Sequence, residues 1–207
     1  MTTTTDPNAQ RRREFINIVM KLVKPGAGSS IEFLKKRTWT YPVANLNEII
    51  KQAAFVIVGG VATRLYMPER MTLDLVILVK TEDAKLVYQD LERTSARKIG
   101  ELSIAGSQWE LSDKTSLDVL EVSEEWATEA IQTPNYASDG LPIIDLPYLV
   151  LMKLIAGRSQ DLADISRMLG GATDLKLQQV KQVIAQYLLN AMEDLESLII
   201  LGKLELE

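Results

Sequence analysis

Apolar and polar residues recur along this chain with a helical period in some segments and as strand-like runs in others. Helical spacing begins at "RRREF" and continues to Lys24, where "PGAGSS" ends it. It returns in "NLNEIIKQAA" and gives way to a β-branched run at residues 55–58, which predicts a helix followed by a strand. A short helix is predicted over residues 61–67, ended by Pro68, before a second apolar strand over residues 73–79.

The middle of the chain alternates between apolar and polar residues, as antiparallel strands do. After a predicted helix in "TEDAKLVYQDLER", the segment "KIGELSIAGSQWELSDKTSLDVLEV" has turn residues at its "AG" and "DK" pairs. The segment therefore predicts two or three antiparallel strands. An even number of residues in the second turn would place Trp109 opposite Asp118 on one face of the hairpin.

From residue 145 onward the pattern is almost wholly helical. Two helices are predicted in "DLPYLVLMKLIAG" and "SQDLADISRMLGG", and one long amphipathic helix in "DLKLQQVKQVIAQYLLNAMEDLESLIILGK". This order of elements predicts an α/β fold with a mixed, mainly antiparallel sheet covered by helices and followed by an α-helical region. We expect a helical extension over residues 1–45, an α/β domain over residues 46–140 and a helical region over residues 141–207.

The composition is that of a folded globular protein and limits its partners. Of the 207 residues, 46% are hydrophobic and 25% are charged, and the net charge is −5. An acidic balance argues against a protein that grips long nucleic acid, which requires a concentrated positive surface. The start "MTTTTDPNAQRRR" lacks the apolar core of a secretory signal, and no apolar run is long enough to span a bilayer. We therefore expect a cytoplasmic protein.

The chain has no histidine and no cysteine, which removes whole classes of chemistry. Thiol nucleophiles, zinc sites, Ser-His-Asp triads and imidazole acid–base catalysis are all excluded. Any metal ion bound by protein side chains must therefore be a hard cation held by oxygen, such as magnesium, manganese or calcium.

Two groups of residues each allow a functional and a purely structural interpretation. The arginines at positions 11–13 would either contact phosphate or form a solvated helix start, and the solvated start is favoured. Trp109 would either stack on a base beside Asp118 or belong to an ordinary cross-strand pair, which is the commoner case.

Candidate chemistry is concentrated in a double glycine and two aspartates. A helix that starts after Gly59-Gly60 would point unpaired N–H groups outward, and the missing side chains would let a phosphate approach the backbone. Asp74 and Asp118 each stand beside apolar strand residues, where a carboxylate needs a partner, water or a metal ion. The alternatives are a simple tight turn and two surface carboxylates at the end of the sheet.

The spacing of these residues resembles that of a known family. Gly59-Gly60, then thirteen residues, then Asp74 in "RMTLDLVILV" is similar to the Gly-Gly (or Gly-Ser) and Asp-x-Asp signature of the DNA polymerase beta-type nucleotidyltransferases. The branch it resembles is the AbiEii-like toxin group and related uncharacterised nucleotidyltransferases. In that branch an arginine and a small hydroxyl residue precede the aspartate pair, as Arg70 and Thr72 do here.

The resemblance extends over residues 50–170. Asp118 stands at the position of the family's third carboxylate, and "LPYLVLMKLIAGRSQDLADISRML" is similar to its helical Lys-x-x-Ala-x-Arg…Asp-x-x-Asp segment. The resemblance implies a nucleotidyltransferase-like fold, with Mg²⁺ or Mn²⁺ bound by Asp74 and Asp118, which also act as catalytic residues. It further implies that Lys153 contacts phosphate as a catalytic residue. The implied nucleotide-binding residues are Gly59, Gly60, Thr63, Arg70, Thr72 and Lys153.

One position departs from the family pattern. Val76 stands where the second carboxylate of the Asp-x-Asp pair is expected. In an alternative registration, Asp74 is the second aspartate and Thr72 replaces the first. Either registration loses one of three metal ligands, and with it the charge that holds two cations close together, so nucleotidyl transfer should fall steeply or vanish.

The resemblance implies transfer of a nucleotidyl group from a nucleoside triphosphate, with ATP the expected donor, to an unknown acceptor such as a protein or tRNA. The alternative is a catalytically inactive nucleotidyltransferase-like protein that binds a nucleotide or a protein partner, for instance in a toxin–antitoxin-type pair. Val76 favours this alternative, whereas Asp74, Asp118 and Lys153 favour the enzyme. A third option is an unrelated α/β domain whose aspartates are surface residues.

Overall fold

The computed structural model of the chain describes two compact units. We call one the helical unit; it contains residues 6–25 and 146–206. We call the other the α/β unit; it contains residues 44–67, 74–137 and 139–145. No helix within these described ranges is long and apolar enough to cross a membrane.

The helices and strands follow one another as the sequence pattern predicts, with a few additions. In chain order they are α1 (Ala9–Leu22), α2 (Leu46–Ile49), β1 (Val56–Val58), α3 (Gly59–Tyr66), β2 (Leu75–Lys80), α4 (Ala84–Arg93), β3 (Arg97–Glu101), β4 (Gly106–Glu110), β5 (Ser116–Val122), α5 (Glu125–Gln132), β6 (Asn135–Tyr136), β7 (Pro142–Ile143), α6 (Leu146–Ala156), α7 (Ser159–Gly170), α8 (Asp174–Tyr187) and α9 (Met192–Leu206). Short 3₁₀ turns precede α4 and α9. The predicted end of α3 at Pro68 lies outside the described residues.

The α/β unit is built on a seven-stranded sheet in the order β3-β4-β5-β2-β1-β7-β6. The strand pairs are antiparallel except for β1 with β7 and β2 with β5, which are parallel. The predicted fold class is therefore confirmed: an α/β fold with a mixed, mainly antiparallel sheet, followed by a helical region. The two-residue strands β6 and β7 were not predicted, because such short strands show no alternation.

The centre of this sheet is apolar because β1 and β2 are made of β-branched and aliphatic residues. All of Val56–Val58 is buried, and Ile77, Leu78 and Val79 of β2 are buried with it. The flanking strands β4 and β5 alternate between buried and half-buried residues. One face of β4 and β5 therefore packs in the core, and the other face carries half-buried side chains, Asp118 among them.

The predicted register of the hairpin between β4 and β5 is wrong by one residue. Trp109 lies opposite Leu117, and Gln108 lies opposite Asp118. Leu111 N donates to Thr115 O at 2.9 Å, so three residues, 112–114, form the turn. An odd turn is accommodated because Lys114 takes a left-handed conformation with φ +71.

This register places Trp109 in the core, on the face of the sheet opposite to Asp118. Trp109 is 2% exposed and stacks on Tyr88 of α4 with ring centroids 5.4 Å apart. Its indole Nε1 donates to Ser107 Oγ at 2.9 Å. The predicted alternative of a base stacked on Trp109 beside Asp118 is therefore wrong, and Trp109 is a core residue.

The long helix predicted for residues 174–203 is two helices, α8 and α9. The chain leaves the helical conformation at Leu188, whose φ is −148 and ψ is 53. After the break α9 crosses α7 at close range, because a Cβ added to Gly202 of α9 would overlap the carbonyl oxygen of Ser166 on α7, and a Cβ added to Gly170 of α7 would overlap the carbonyl oxygen of Gly202. The break lets α9 pack backbone to backbone on α7, a tertiary contact that overrides the unbroken helical period.

The favoured interpretation of the arginine run as a solvated helix start is wrong for Arg12. Arg11 and Arg13 are exposed, but Arg12 has 0% exposure. Its guanidinium donates to Asp194 Oδ2 on α9 at 2.7 Å and to Asp6 Oδ2 at 2.6 Å, and also to the carbonyl of Leu154 on α6 at 3.2 Å. Arg12 therefore joins α1 to α6 and α9.

Candidate functional site

Gly59, Asp74 and Asp118, which the sequence analysis selected as candidates, lie at one edge of the sheet. β1 runs toward this edge and ends at Val58, directly before Gly59, while the antiparallel β2 starts there, one residue after Asp74. Because β5 is parallel to β2, its first residues lie at the same edge, with Asp118 paired to Val76. The two aspartates come from distant parts of the sequence, and the parallel β2–β5 pairing brings them together.

The glycine turn lies directly beside Val76. Val58 pairs with Val76, and a Cβ added to Gly59 would lie 3.3 Å from Val76 Cγ2. Gly59 has φ +67, a conformation that residues with a side chain rarely adopt. The glycine therefore fits both the backbone conformation and the close approach to Val76.

The helix α3 begins at Gly59 itself, earlier than the predicted start at residue 61. Val58 occupies the N-cap position, and its apolar side chain cannot accept a hydrogen bond from the N–H groups of the first turn. These N–H groups carry the positive end of the helix dipole. The turn thus has the chemistry of an anion-binding helix start, with Gly59 and Gly60 half-buried.

Thr63 lies one turn further along the same helix and is fully buried. Its hydroxyl donates to the Gly59 carbonyl oxygen at 2.8 Å. In this arrangement Thr63 closes the first turn of α3 and holds the glycine backbone in place. Its predicted direct contact with a nucleotide stays a prediction.

Asp118 is the carboxylate whose surroundings are best defined. Burial raises the pKa of Asp118, the neighbouring carboxylate of Asp74 raises it further, and a hydrogen bond from Gln108 acts in the opposite direction. Gln108 Nε2 donates to Asp118 Oδ1 at 3.2 Å. Asp74 is exposed and Asp118 is half-buried. A cation bound beside Asp118 would favour the ionised form of this carboxylate and offset its repulsion from Asp74.

The donor set at this edge suits one hard cation better than two. Among the described residues, no group of three or more Asp, Glu, His or Cys side chains is placed to hold a metal ion. The edge offers the carboxylate oxygens of Asp74 and Asp118, with the amide of Gln108 beside Asp118. Oxygen ligands of this kind are those that Mg²⁺ and Mn²⁺ prefer, so the residues fit a single divalent cation completed by water or phosphate oxygens.

Lys153 lies in the helical unit, where its ammonium group is held by two carboxylates. Nζ donates to Asp161 Oδ1 at 3.0 Å and to Asp164 Oδ2 at 2.7 Å, both on α7. Arg158 Nε also donates to Asp161, at 2.6 Å. Lys153 is 6% exposed and both aspartates are 3% exposed. These contacts make Lys153 a buried link between α6 and α7, and its predicted phosphate contact stays a prediction.

Two of the predicted nucleotide-binding residues, Arg70 and Thr72, lie outside the described residues. Sequence reasoning missed Gln108, the hydrogen-bond partner of Asp118. The signal that identifies Gln108 is the length of the turn that follows it, because a three-residue turn places residue 108 opposite residue 118.

Comparisons with known proteins find weak likenesses in structure alone. No protein-family model matches the chain, and no curated protein matches it. The solution structure of the antibiotic-resistance factor ANT(2'')-Ia is 16% identical, with 73% of this chain and 82% of that chain covered and a TM-score of 0.40. The crystal structure of ANT(2'')-Ia in complex with adenylyl-2''-tobramycin is 17% identical, covers 73% and 87% of the two chains, and has a TM-score of 0.41.

A third solved structure, the Megavirus polyadenylate synthase, is 13% identical with a TM-score of 0.30. The alignment covers 94% of this chain and 33% of the viral chain. Likenesses of this strength assign the chain to no family.

Proposed function

We propose that this protein binds a nucleoside triphosphate with one divalent cation at the edge of its sheet and transfers a nucleotidyl group to an acceptor. The proposal rests on the observation that the glycine turn, Val76 and the two aspartates are neighbours in the sheet. Gly59 lies against Val76, Val76 pairs with Asp118, and Asp118 interacts electrostatically with Asp74. A turn suited to phosphate therefore lies next to a carboxylate pair suited to the cation that accompanies phosphate.

Each residue has a distinct role in this proposal. Asp74 and Asp118 would hold the cation, which when bound neutralises phosphate charge and activates the phosphorus centre as a Lewis acid. The first-turn N–H groups of α3, exposed by Gly59 and Gly60, would hold the triphosphate. Thr63 keeps this turn in shape through its bond to the Gly59 carbonyl oxygen. The favoured donor is ATP, and the acceptor class is a protein or tRNA.

The first experiment measures whether an NTP and Mn²⁺ bind through Asp118. We expect ATP with Mn²⁺ or Mg²⁺ to raise the melting temperature, because a ligand that binds only the folded state stabilises it. Asp118→Asn keeps the size of the side chain and removes a cation ligand, so it should weaken Mn²⁺ affinity by about tenfold or more, equivalent to about 1.4 kcal/mol.

A matched control for this experiment is Glu110→Gln. Glu110 is half-buried on the same face of β4 as Gln108, and its carboxylate pairs with Lys114 at 3.0 Å. It removes one negative charge without removing a ligand, so binding should stay within about twofold of wild type on the scale of surface charge effects. A protein whose melting temperature no NTP shifts at millimolar concentration, with either cation, is not the nucleotide binder proposed here.

Val76 supports a second candidate function, an inactive nucleotide-binding protein that acts through a protein partner, as in a toxin–antitoxin-type pair. Val76 pairs with Asp118 across the sheet and contributes no ligand, so a site with two carboxylates has less charge to hold a second cation. The wild type would then bind NTP and transfer nucleotide poorly.

The variant Val76→Asp separates the two candidates. An added carboxylate beside Asp118 should tighten Mn²⁺ binding several-fold and raise transfer, because it restores charge for a second cation. Transfer is measured as incorporation of label from α-labelled NTPs into the protein itself, a co-expressed partner or bulk tRNA. The carboxylate account of the site is wrong if wild type transfers robustly, Val76→Asp changes nothing and Asp74→Asn does not abolish transfer.

A further inference from the structure

The two neighbours of Asp118 across the sheet differ sharply in chemistry. On the β2 side its partner is Val76, which offers no polar atom. On the β4 side its partner is Gln108, whose amide is within hydrogen-bond distance of the Asp118 carboxylate. Both Gln108 and Asp118 are half-buried, and both are on the face of the sheet that carries the site. Asp118 therefore lies between an apolar neighbour on β2 and a neighbour on β4 that carries an amide oxygen.

The side-chain amide of glutamine carries an NH₂ group, which donates hydrogen bonds, and an oxygen, which accepts them. Both are bonded to the same carbon, so a rotation about the last side-chain torsion exchanges their places. Toward a bare carboxylate the amide presents its NH₂ group, as Gln108 Nε2 does toward Asp118 Oδ1. Toward a cation held by that carboxylate it would present Oε1 after a half-turn about its last side-chain torsion. Amide carbonyl oxygens are accepted ligands of hard divalent cations.

The separation of the two side chains suits a shared cation. Gln108 Nε2 is 3.2 Å from Asp118 Oδ1, and a rotated amide would place Oε1 at a similar separation. Two oxygens bound at about 2.1 Å and at a right angle, as in an octahedral Mg²⁺ site, are about 3 Å apart. The cross-strand pair therefore has the spacing of two adjacent ligands of one cation.

We propose that Gln108 is the third protein ligand of the cation held by Asp74 and Asp118, and that it reaches the cation from the β4 side of Asp118, whereas Val76 on the β2 side offers no ligand. This inference rests on the proposed function, since it concerns the same cation. A neutral third ligand gives the site two negative charges in place of three. Such a site holds one Mg²⁺ or Mn²⁺ ion firmly and a second only weakly. The protein would then bind the triphosphate well but transfer the nucleotidyl group slowly.

The test is Mn²⁺ binding in the absence of nucleotide, followed by the number of water molecules bound to the ion. Affinity is measured by titration with electron paramagnetic resonance detection of free Mn²⁺, and hydration by water relaxation. Gln108→Leu should weaken Mn²⁺ binding by about tenfold, equivalent to about 1.4 kcal/mol, and add one water to the bound ion. Gln108→Glu should tighten binding, and Glu110→Gln should leave both affinity and hydration as in wild type.

The outcomes distinguish this inference from the proposed function. If Mn²⁺ binding depends on Asp118 but Gln108→Leu changes neither affinity nor hydration, Gln108 is not a ligand and the proposed function stands. If wild type binds no Mn²⁺, both proposals fail. Hydration also separates a ligand from a side chain that merely orients Asp118, because an orienting residue leaves the count of bound water unchanged. If Gln108→Leu does not fold, Gln108→Glu decides: failure to tighten binding contradicts the inference.

Discussion

Replacing Arg12 with methionine should lower the free energy of unfolding of the helical unit by about 3–5 kcal/mol, the usual cost of removing one partner from a buried ion pair. The guanidinium is fully buried and bonds to Asp194 on α9 and to Asp6 before α1. Methionine keeps the unbranched stem of the side chain and a similar helix propensity. It leaves Asp194, which is 4% exposed, as a buried carboxylate without its cation.

Unfolding should be followed by far-ultraviolet circular dichroism during urea denaturation. Tryptophan fluorescence is unsuitable because the helical unit contains neither Trp109 nor Trp126. Arg13→Met is the matched control, since Arg13 is exposed on the same helix and should change stability by less than about 0.5 kcal/mol. In the double variant Arg12→Met with Asp194→Leu, stability should partly recover, as neighbouring changes are not additive. Equal effects of Arg12→Met and Arg13→Met would show that the buried pairs do not hold α1 in place.

Much of the fold was predictable because local sequence specifies it. The β-branched run at β1, the alternation in β4 and β5 and the helical period after residue 145 each report on burial along one element. The break between α8 and α9 was not predictable in this way. After the break, Gly202 of α9 lies against Ser166 of α7, and no local period records a contact between residues on different helices.

The candidate site was predictable only in part, for a related reason. The residue types of Gly59, Asp74 and Asp118 pointed to phosphate and metal chemistry without reference to a fold. Their meeting at one edge depends on the parallel pairing of β2 with β5, which nothing in either strand specifies. The hairpin register depends on Lys114 in a left-handed conformation, which is uncommon for a residue with a side chain, and this one residue decided between Trp109 and Gln108 as the partner of Asp118.

Sequence patterns do not predict which charged residues are buried. A charged residue in an amphipathic helix is normally solvated, so Arg12 resembled Arg11 and Arg13. Its partner Asp194 lies 182 positions away in the chain. Only the folded structure shows which arginine of the run is buried, and the same holds for the lysine of α6.

Replacing Lys153 with methionine should destabilise the helical unit by about 3–5 kcal/mol, because it leaves Asp161 and Asp164 buried without the ammonium group that joins them. Arg158 would still pair with Asp161, whereas Asp164 would lose its 2.7 Å bond to Nζ. This expectation differs from that for a lysine whose main role is to contact phosphate. Such a lysine is unpaired without its ligand, and its removal should leave the stability of the free protein nearly unchanged.

The control for this variant is Lys181→Met on α8. Lys181 makes a surface ion pair with Glu196 at 2.7 Å, and exposed pairs of this kind contribute about 0.2–1 kcal/mol. The double variant Lys153→Met with Asp164→Asn should recover part of the loss, because it removes the charge of the carboxylate that has lost its bond to Nζ. A Lys153→Met protein as stable as wild type, which at the same time loses the NTP-induced rise in melting temperature, would instead assign Lys153 to phosphate binding. The stability of the free protein therefore decides the role of Lys153 before any activity is known, since only the structural role requires the ammonium group when no nucleotide is bound.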